Sequence, residues 1–250
     1  MTRYAMVIDL DRCTGCGACL MACAVENNIP PTPSVGDATK GLTWLRVHRV
    51  DAPDGAVGAR AAFIPLPCQH CQKETPCVSV CPQNAVERDP KTGIVDQVPS
   101  RCLGCRYCMA ACPYRARTFT WWDPSWPKGM EAGLNPDVAP RMRGIAEKCN
   151  FCHGRLQAAL ARAAVDGRRA PREDEYQPAC AEACPARAIA FGDLDDPAST
   201  VARLARDLRA FRLLERLDTD ASVFYLSARP WVRALGRTVL ERPEEGAFHG

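Results

Sequence analysis

Cys13, Cys16, Cys19 and Cys23 are spaced C-x2-C-x2-C-x3-C, and three related groups follow them along the chain. The second is Cys68, Cys71, Cys77 and Cys81, spaced C-x2-C-x5-C-x3-C and followed by Pro82. Cys102, Cys105, Cys108 and Cys112 repeat the first spacing and precede Pro113. The last group is Cys149, Cys152, Cys180 and Cys184, with a 27-residue gap in its middle and Pro185 after it. All sixteen cysteines of the chain are used in this way. Three thiolates three residues apart in a tight loop point inward at one object, and Gly15, Gly17 and Gly104 let the backbone approach it. That is the chemistry of an iron–sulfide cube held by thiolates. The fourth cysteine of each run lies too far around to reach the same cube and is expected at the start of a helix, where a following proline needs no donor.

Other uses of so many sulfurs fit less well. Zinc ribbons need two separated C-x2-C pairs, not a third cysteine three residues on. Disulfides at every adjacent pair would be crowded, and MTRYAMVIDLDRC carries no secretion signal. The formal charge of +3 counts cysteines as neutral thiols. Four oxidised cubes at about −2 each would bring the loaded protein to about −5, which the arginines beside the motifs suit. No basic run or aromatic motif points to nucleic acid. No apolar stretch reaches 18 residues, so no membrane span is expected, and export would depend on a partner. No phosphate loop, acid–base pair or nucleophile arrangement stands out, so the chain is not expected to transform a substrate alone.

The elements that must position the sulfurs can be read coarsely. Tyr4 to Asp9 reads as a strand feeding the first loop, with a helix over Cys19 to Asn27. Leu45 and Val47 alternate with Arg46 and His48 as in a half-buried strand. Ala85 to Val98 reads as a hairpin turning at Asp89-Pro90-Lys91-Thr92-Gly93. Further on come a helix over Cys152 to Val165 closing at Gly167, a strand over Ala188 to Phe191, and a late strand over Val223 to Leu226. Asp196 is expected to cap a helix with Pro197 in its first turn and Val201, Leu204, Leu208 and Leu217 along one side.

In two-cluster ferredoxins, paired motifs exchange their fourth cysteines. On that precedent the outer groups pair with each other, as do the inner ones. Cluster one then takes Cys13, Cys16, Cys19 and Cys184, and cluster two takes Cys149, Cys152, Cys180 and Cys23. Cluster three takes Cys68, Cys71, Cys77 and Cys112, and cluster four takes Cys102, Cys105, Cys108 and Cys81. The expected fold is α+β, with two ferredoxin-like dicluster units, one inserted in the other. Residues 1–60 and 145–195 form the outer unit, 61–117 the inner unit, and 196–250 a C-terminal helix and tail. Residues 118–147 hold three tryptophans and four prolines and read either as a lid over the clusters or as a docking surface. Residues 166–178 read as an exposed loop whose charge only solvates it. Of His48, His70, His153 and His249, none is needed as a ligand, since no cysteine is missing.

The arrangement resembles the four-cluster electron-transfer subunits of the complex iron–sulfur molybdoenzyme family, over nearly the whole chain. YAMVIDLDRCTGCGAC, AVENNIP, LNPDVAPRMRGIAEKCNFC, ACPARAIAFGDLDDPAS and FRLLERLDTDASVFYL are similar to the iron–sulfur parts of alternative complex III and the Qrc-type menaquinone reductases. Alternative complex III usually fuses this part to a molybdopterin-like domain and lacks the cysteine found here as Cys105, so the free-standing chain looks Qrc-like. The x5 gap of the second group is one residue longer than the family spacing. The resemblance implies a non-catalytic relay of four [4Fe–4S] clusters. It would run between a molybdopterin-type subunit or a multihaem cytochrome c and a polytopic membrane subunit that reduces menaquinone. The alternative is the same relay in a polysulfide, tetrathionate or dimethyl sulfoxide reductase or a formate dehydrogenase. Cluster one would face the catalytic-type subunit and cluster four the membrane subunit. Peripheral membrane association on the periplasmic face, reached with a Tat-exported partner, is implied, with the cytoplasmic face as the alternative.

Overall fold

The strand residues Tyr4–Asp9 are apolar almost throughout, as expected of a strand covered on both faces, and they form the spine of the molecule. The computed structural model describes residues 2–31 and 42–237. His249 and the polar tail at 241–250 lie outside them. In chain order the elements are β1 (Tyr4–Asp9), α1 (Ala18–Glu26), β2 (Arg46–Asp51), β3 (Ala61–Leu66), α2 (Pro76–Ser79), β4 (Val86–Arg88), β5 (Val95–Gln97), α3 (Tyr107–Ala111) and β6 (Thr118–Phe119). They continue with β7 (Ala146–Glu147), α4 (His153–Val165), α5 (Ala179–Glu182), β8 (Ile189–Asp193), α6 (Thr200–Ala205), β9 (Ala210–Phe211), β10 (Val223–Leu226) and α7 (Pro230–Ala234). The class is α+β, as expected from the sequence.

One four-stranded sheet has the order β8-β1-β10-β9. β1 runs antiparallel to β8, with Ala5 opposite Gly192, and parallel to β10, with Met6 opposite Val223. Alternate residues serve opposite faces. Tyr4, Met6, Ile8, Val223 and Tyr225 join the main core, which contains many of the cysteines. Ala5, Val7, Phe224 and Leu226 form the other face, closed by Val201 from α6. Three two-stranded ladders complete the structure: β2–β3, β4–β5 and β6–β7. The β4–β5 hairpin turns at the predicted residues: the Lys91 N–H donates to Asp89 Oδ1 at 2.8 Å and Gly93 takes φ 70°. Among the described residues no helix is long and apolar enough to cross a membrane.

Three expectations fail. The helix after residue 196 is capped by Ser199, whose Oγ accepts from the Ala202 N–H at 3.0 Å, while Asp196 closes only the turn before it. That helix stops at Ala205, leaving Leu208 99% exposed and Leu217 in a separate 3-10 turn. Apolar spacing extended the helix too far because the chain bends at Arg206–Asp207 into β9. The fourth cysteine of a group does not begin a helix. Cys19, Cys77, Cys108 and Cys180 lie in the short helices, and Cys112 is the residue on which α3 ends. In the second, third and fourth groups the third cysteine lies in the short helix and the fourth falls at or past its end, whereas the longer α1 holds both Cys19 and Cys23, about one turn apart. The 166–178 stretch is also more than a solvated loop. Glu175 binds Arg168 and Arg172, each at 2.7 Å, and Tyr176 is buried with its hydroxyl donating to the Phe151 carbonyl.

Candidate cluster-binding site

Helix packing gathers the sulfurs. α1 packs against α5, and α2 against α3, so the outer motifs meet each other and so do the inner ones. One cavity is lined by Cys13, Cys16, Cys19 and Cys184. A second is lined by Cys81, Cys102, Cys105 and Cys108, and a third by Cys68, Cys71, Cys77 and Cys112. The remaining four, Cys23, Cys149, Cys152 and Cys180, are all buried, and the last three lie close enough to Cys23 to raise its pKa electrostatically.

The loops owe their shape to left-handed backbone. Gly15 and Gly17 have φ 73° and 76°, and Gly104 and Arg106 repeat this at 72° and 63° in the third group. At Gly104 there is also no room, since a Cβ would stand 2.7 Å from the Gly144 carbonyl oxygen. Gly104→Ala is therefore expected to cost about 2–4 kcal/mol, adding a left-handed alanine to a backbone clash. Thermal unfolding of the loaded protein measures the loss.

A second repeated device escaped the sequence reading. Cys81, Cys112 and Cys184 each begin a C-P-x-x-A run whose fourth residue, Asn84, Arg115 or Arg187, is left-handed at φ 47–50°. In each, that residue's N–H donates to the cysteine carbonyl, at 3.3, 3.1 and 3.0 Å. The turn then aims the next N–H at sulfur: Ala85 reaches Cys81 Sγ at 3.2 Å and Ala188 reaches Cys184 Sγ at 3.3 Å. Similar bonds run from Phe151 to Cys149 Sγ at 3.5 Å and from Ala179 to Cys152 Sγ at 3.4 Å. The shared Cys-Pro-x-x-Ala pattern was the available signal. The long x5 gap is absorbed in a bend where the Gln72 N–H donates to Thr219 O at 2.9 Å and Thr75 Oγ1 donates to Cys71 O at 3.0 Å.

The donor set fits iron–sulfur clusters. None of the sixteen cysteines is paired in a disulfide despite their proximity. Among the described residues no three or more His, Cys, Asp or Glu side chains stand close enough together to hold one metal ion. Four sulfurs ringing a common cavity, as in three of the quartets, suit an iron–sulfide cube. Burial, then neighbouring thiolates, pushes Cys149 and Cys71 up to about 12, and burial above all raises Cys19, Cys112 and Cys152 to about 11. Cys23 and Cys180 are driven well above the ordinary thiol value by the same causes. Thiolates so placed need the positive charge of bound iron, and loading must release protons. At Cys81 burial is outweighed by the N–H groups of Gln83, Ala85 and Val86, which hold its thiol low.

The three described histidines do other work. His70 is fully buried, accepts from the Val95 N–H at Nδ1 (3.0 Å), stacks on Phe151 at 3.7 Å, and is kept neutral chiefly by burial. His153 Nδ1 pairs with Asp96 at 2.5 Å, which raises its pKa. Burial lowers that of His48. Residues 118–147 are stitched down at both ends. Thr118 and Phe119 pair with Glu147 and Ala146, and Asn28 Nδ2 donates to the carbonyls of Asn135 and Val138 at 2.9 and 2.8 Å. Within the segment the Arg141–Glu147 pair is buried, while Met130 and Met142 are exposed.

Comparison with known proteins agrees with this chemistry. The 4Fe–4S dicluster domain family matches residues 59–129, and the 4Fe–4S binding domain family matches residues 4–25. The chain is 51% identical to the menaquinone reductase iron–sulfur cluster-binding subunit of Nitratidesulfovibrio vulgaris, over 96% of this chain and 94% of that one. It is 40% identical to a candidate iron–sulfur subunit of a dimethyl sulfoxide reductase from Halobacterium salinarum, over 92% and 83% of the two chains. With the Hdr-like menaquinol oxidoreductase iron–sulfur subunit 1 of Archaeoglobus fulgidus it shares 35%, over 89% and 82%. The chain belongs to the family of 4Fe–4S electron-transfer subunits of multi-subunit oxidoreductases, with sixteen cysteines for four clusters.

Proposed function

We propose that this chain relays single electrons through four [4Fe–4S] clusters to a polytopic membrane subunit that reduces menaquinone. The observation that carries this is the partition of its cysteines into four quartets, in a chain 51% identical to a menaquinone reductase subunit. The ligand sets are Cys13, Cys16, Cys19 and Cys184; Cys149, Cys152, Cys180 and Cys23; Cys68, Cys71, Cys77 and Cys112; and Cys102, Cys105, Cys108 and Cys81. The inner unit at 61–117 is inserted in the outer unit at 1–60 and 145–195, each with its own pair of clusters. Cys16 and Cys105 are the two exposed cysteines, so the first and fourth quartets are the ends of the relay. The donor is a multihaem cytochrome c or a molybdopterin-type subunit. The assembly sits on the periplasmic face, brought there by a Tat-exported partner. Residues 118–147 cover the clusters and offer Met130 and Met142 to a neighbouring subunit.

Anaerobic purification from the native host tests the reading. About sixteen irons and sixteen sulfides per chain, together with a co-purifying polytopic quinone-binding subunit, are expected. Absence of iron would sink it. The likeness to a dimethyl sulfoxide reductase subunit favours one other reading, the same relay serving a molybdoenzyme. Molybdenum in the purified complex separates the two. Cys105→Ser is expected to convert or remove the cluster of the fourth quartet and leave the fold intact, because Cys105 is exposed. Four unaltered [4Fe–4S] signals in its EPR spectrum would overturn that ligand set.

A further inference from the structure

The three C-P-x-x-A runs continue with Val86, Arg117 and Ile189. Val86 and Ile189 are buried and apolar, as the start of a strand against the core requires. Arg117 is buried as deeply, at 4% exposure, yet carries a permanent charge. Among the described residues no carboxylate pairs with it. Its Nη1 donates to Gln97 Oε1 at 2.8 Å and to Cys108 Sγ at 3.6 Å, the guanidinium also lies against the Cys77 thiol, and no oxygen or nitrogen acceptor faces the buried Nε and Nη2. A guanidinium so placed is costly unless negative charge lies beside it. Sulfur lies on both sides: Arg117 lines the cavity of Cys68, Cys71, Cys77 and Cys112, and it reaches Cys108 of the neighbouring quartet. Burial works against its charge, but the thiolates of Cys77, Cys108 and Cys68 outweigh it.

We propose that Arg117 is a positioning residue shared by the third and fourth quartets, its buried charge raising the electron affinity of both sites at once. The inference rests on the iron–sulfur reading above. A fixed cation stabilises the more negative, reduced form of whatever it touches, and hydrogen bonds to cluster sulfur act the same way. Because one guanidinium touches two quartets, the inner potentials move together. The outer pair has Ile189 at the matching position and is untouched.

EPR-monitored redox titration of the intact complex tests this in Arg117→Gln, Arg117→Met and Arg117→Lys. Loss of a signal in Cys105→Ser identifies the fourth site, and loss in Cys71→Ser identifies the third. In the neutral variants both inner midpoints are expected to fall by at least 59 mV, a tenfold change in a one-electron equilibrium. The outer midpoints stay in place, and Arg117→Lys recovers most of the loss. Retained iron with unmoved inner midpoints overturns the proposal, as does an equal shift at all four sites. If both neutral variants lose inner iron, Arg117→Lys decides. Loading with near-native midpoints supports a role for charge, and failure to load overturns it. A native chain whose inner sites hold no iron would refute the cluster reading itself, a result distinct from all of these.

Discussion

Anaerobic removal of iron by a chelator is expected to abolish the cooperative thermal transition of this protein. Cys19, Cys23, Cys68, Cys71, Cys149 and Cys180 belong to the same buried cluster as Met6, Ile8 and Tyr225. The iron sites are thus part of the core and not appendages to it. The remaining framework is slight: among the described residues the longest helix has 13 residues and no strand exceeds six. Without iron, quartets of buried thiols face gaps lined by their own side chains, losing the packing contacts on that side. Retaining thiolates there would be worse, because burial opposes their charge. Metal binding then becomes folding free energy. Calorimetry should show no sharp endotherm in the stripped protein, and near-ultraviolet circular dichroism should flatten while part of the far-ultraviolet signal survives. A stripped protein melting at the native temperature would show that the fold stands without its iron.

Cys149→Ser is expected to be far more damaging than Cys105→Ser. Cys149 is 7% exposed, follows the β6–β7 ladder directly, and sits between buried Lys148 and fully buried Phe151. Its sulfur accepts the Phe151 N–H at 3.5 Å. Serine is a poor iron ligand and leaves a shorter polar group where no water reaches. Lys148, whose Nζ donates to the carbonyls of Val95 and Cys149, is left beside a site stripped of negative charge. The cost is about 3–5 kcal/mol, the range for breaking a buried charge arrangement. Iron analysis should fall by about four per chain, with a large drop in melting temperature. A variant that keeps sixteen irons and native stability would remove Cys149 from the second ligand set.

Much of the site was legible because its information is local. The spacing of Cys13, Cys16 and Cys19 dictates a loop, and Gly15 and Gly17 announce its left-handed turns. The strand at Tyr4–Asp9 and the hairpin around Asp89–Gly93 were equally plain, since apolar runs and turn residues act over few positions. What escaped depends on distant partners. Apolar spacing extended the helix after Ser199 because nothing nearby signals that the chain will pair as β9 with β10. Arginine-rich flanks suggested charge compensation in general, but only the fold reveals that Arg117 is buried between two quartets while Arg115, two residues away, faces solvent. The ion pairs of Glu175 were hidden within a stretch whose composition reads as loop.

The position of β1 has a consequence for biogenesis. Its two neighbours in the sheet are β8 and β10, made from residues 189–193 and 223–226, so the first strand synthesised waits for nearly the whole chain. The cavity of Cys13, Cys16 and Cys19 likewise stays open until Cys184 emerges, whereas the sulfurs from Cys68 to Cys112 are all available much earlier. At about 5–20 residues per second on the ribosome, the middle of the molecule has several seconds' head start. Assembly is therefore expected to proceed from the centre outward, with β1 and the loop of Cys13, Cys16 and Cys19 completed only when residues 184–226 arrive.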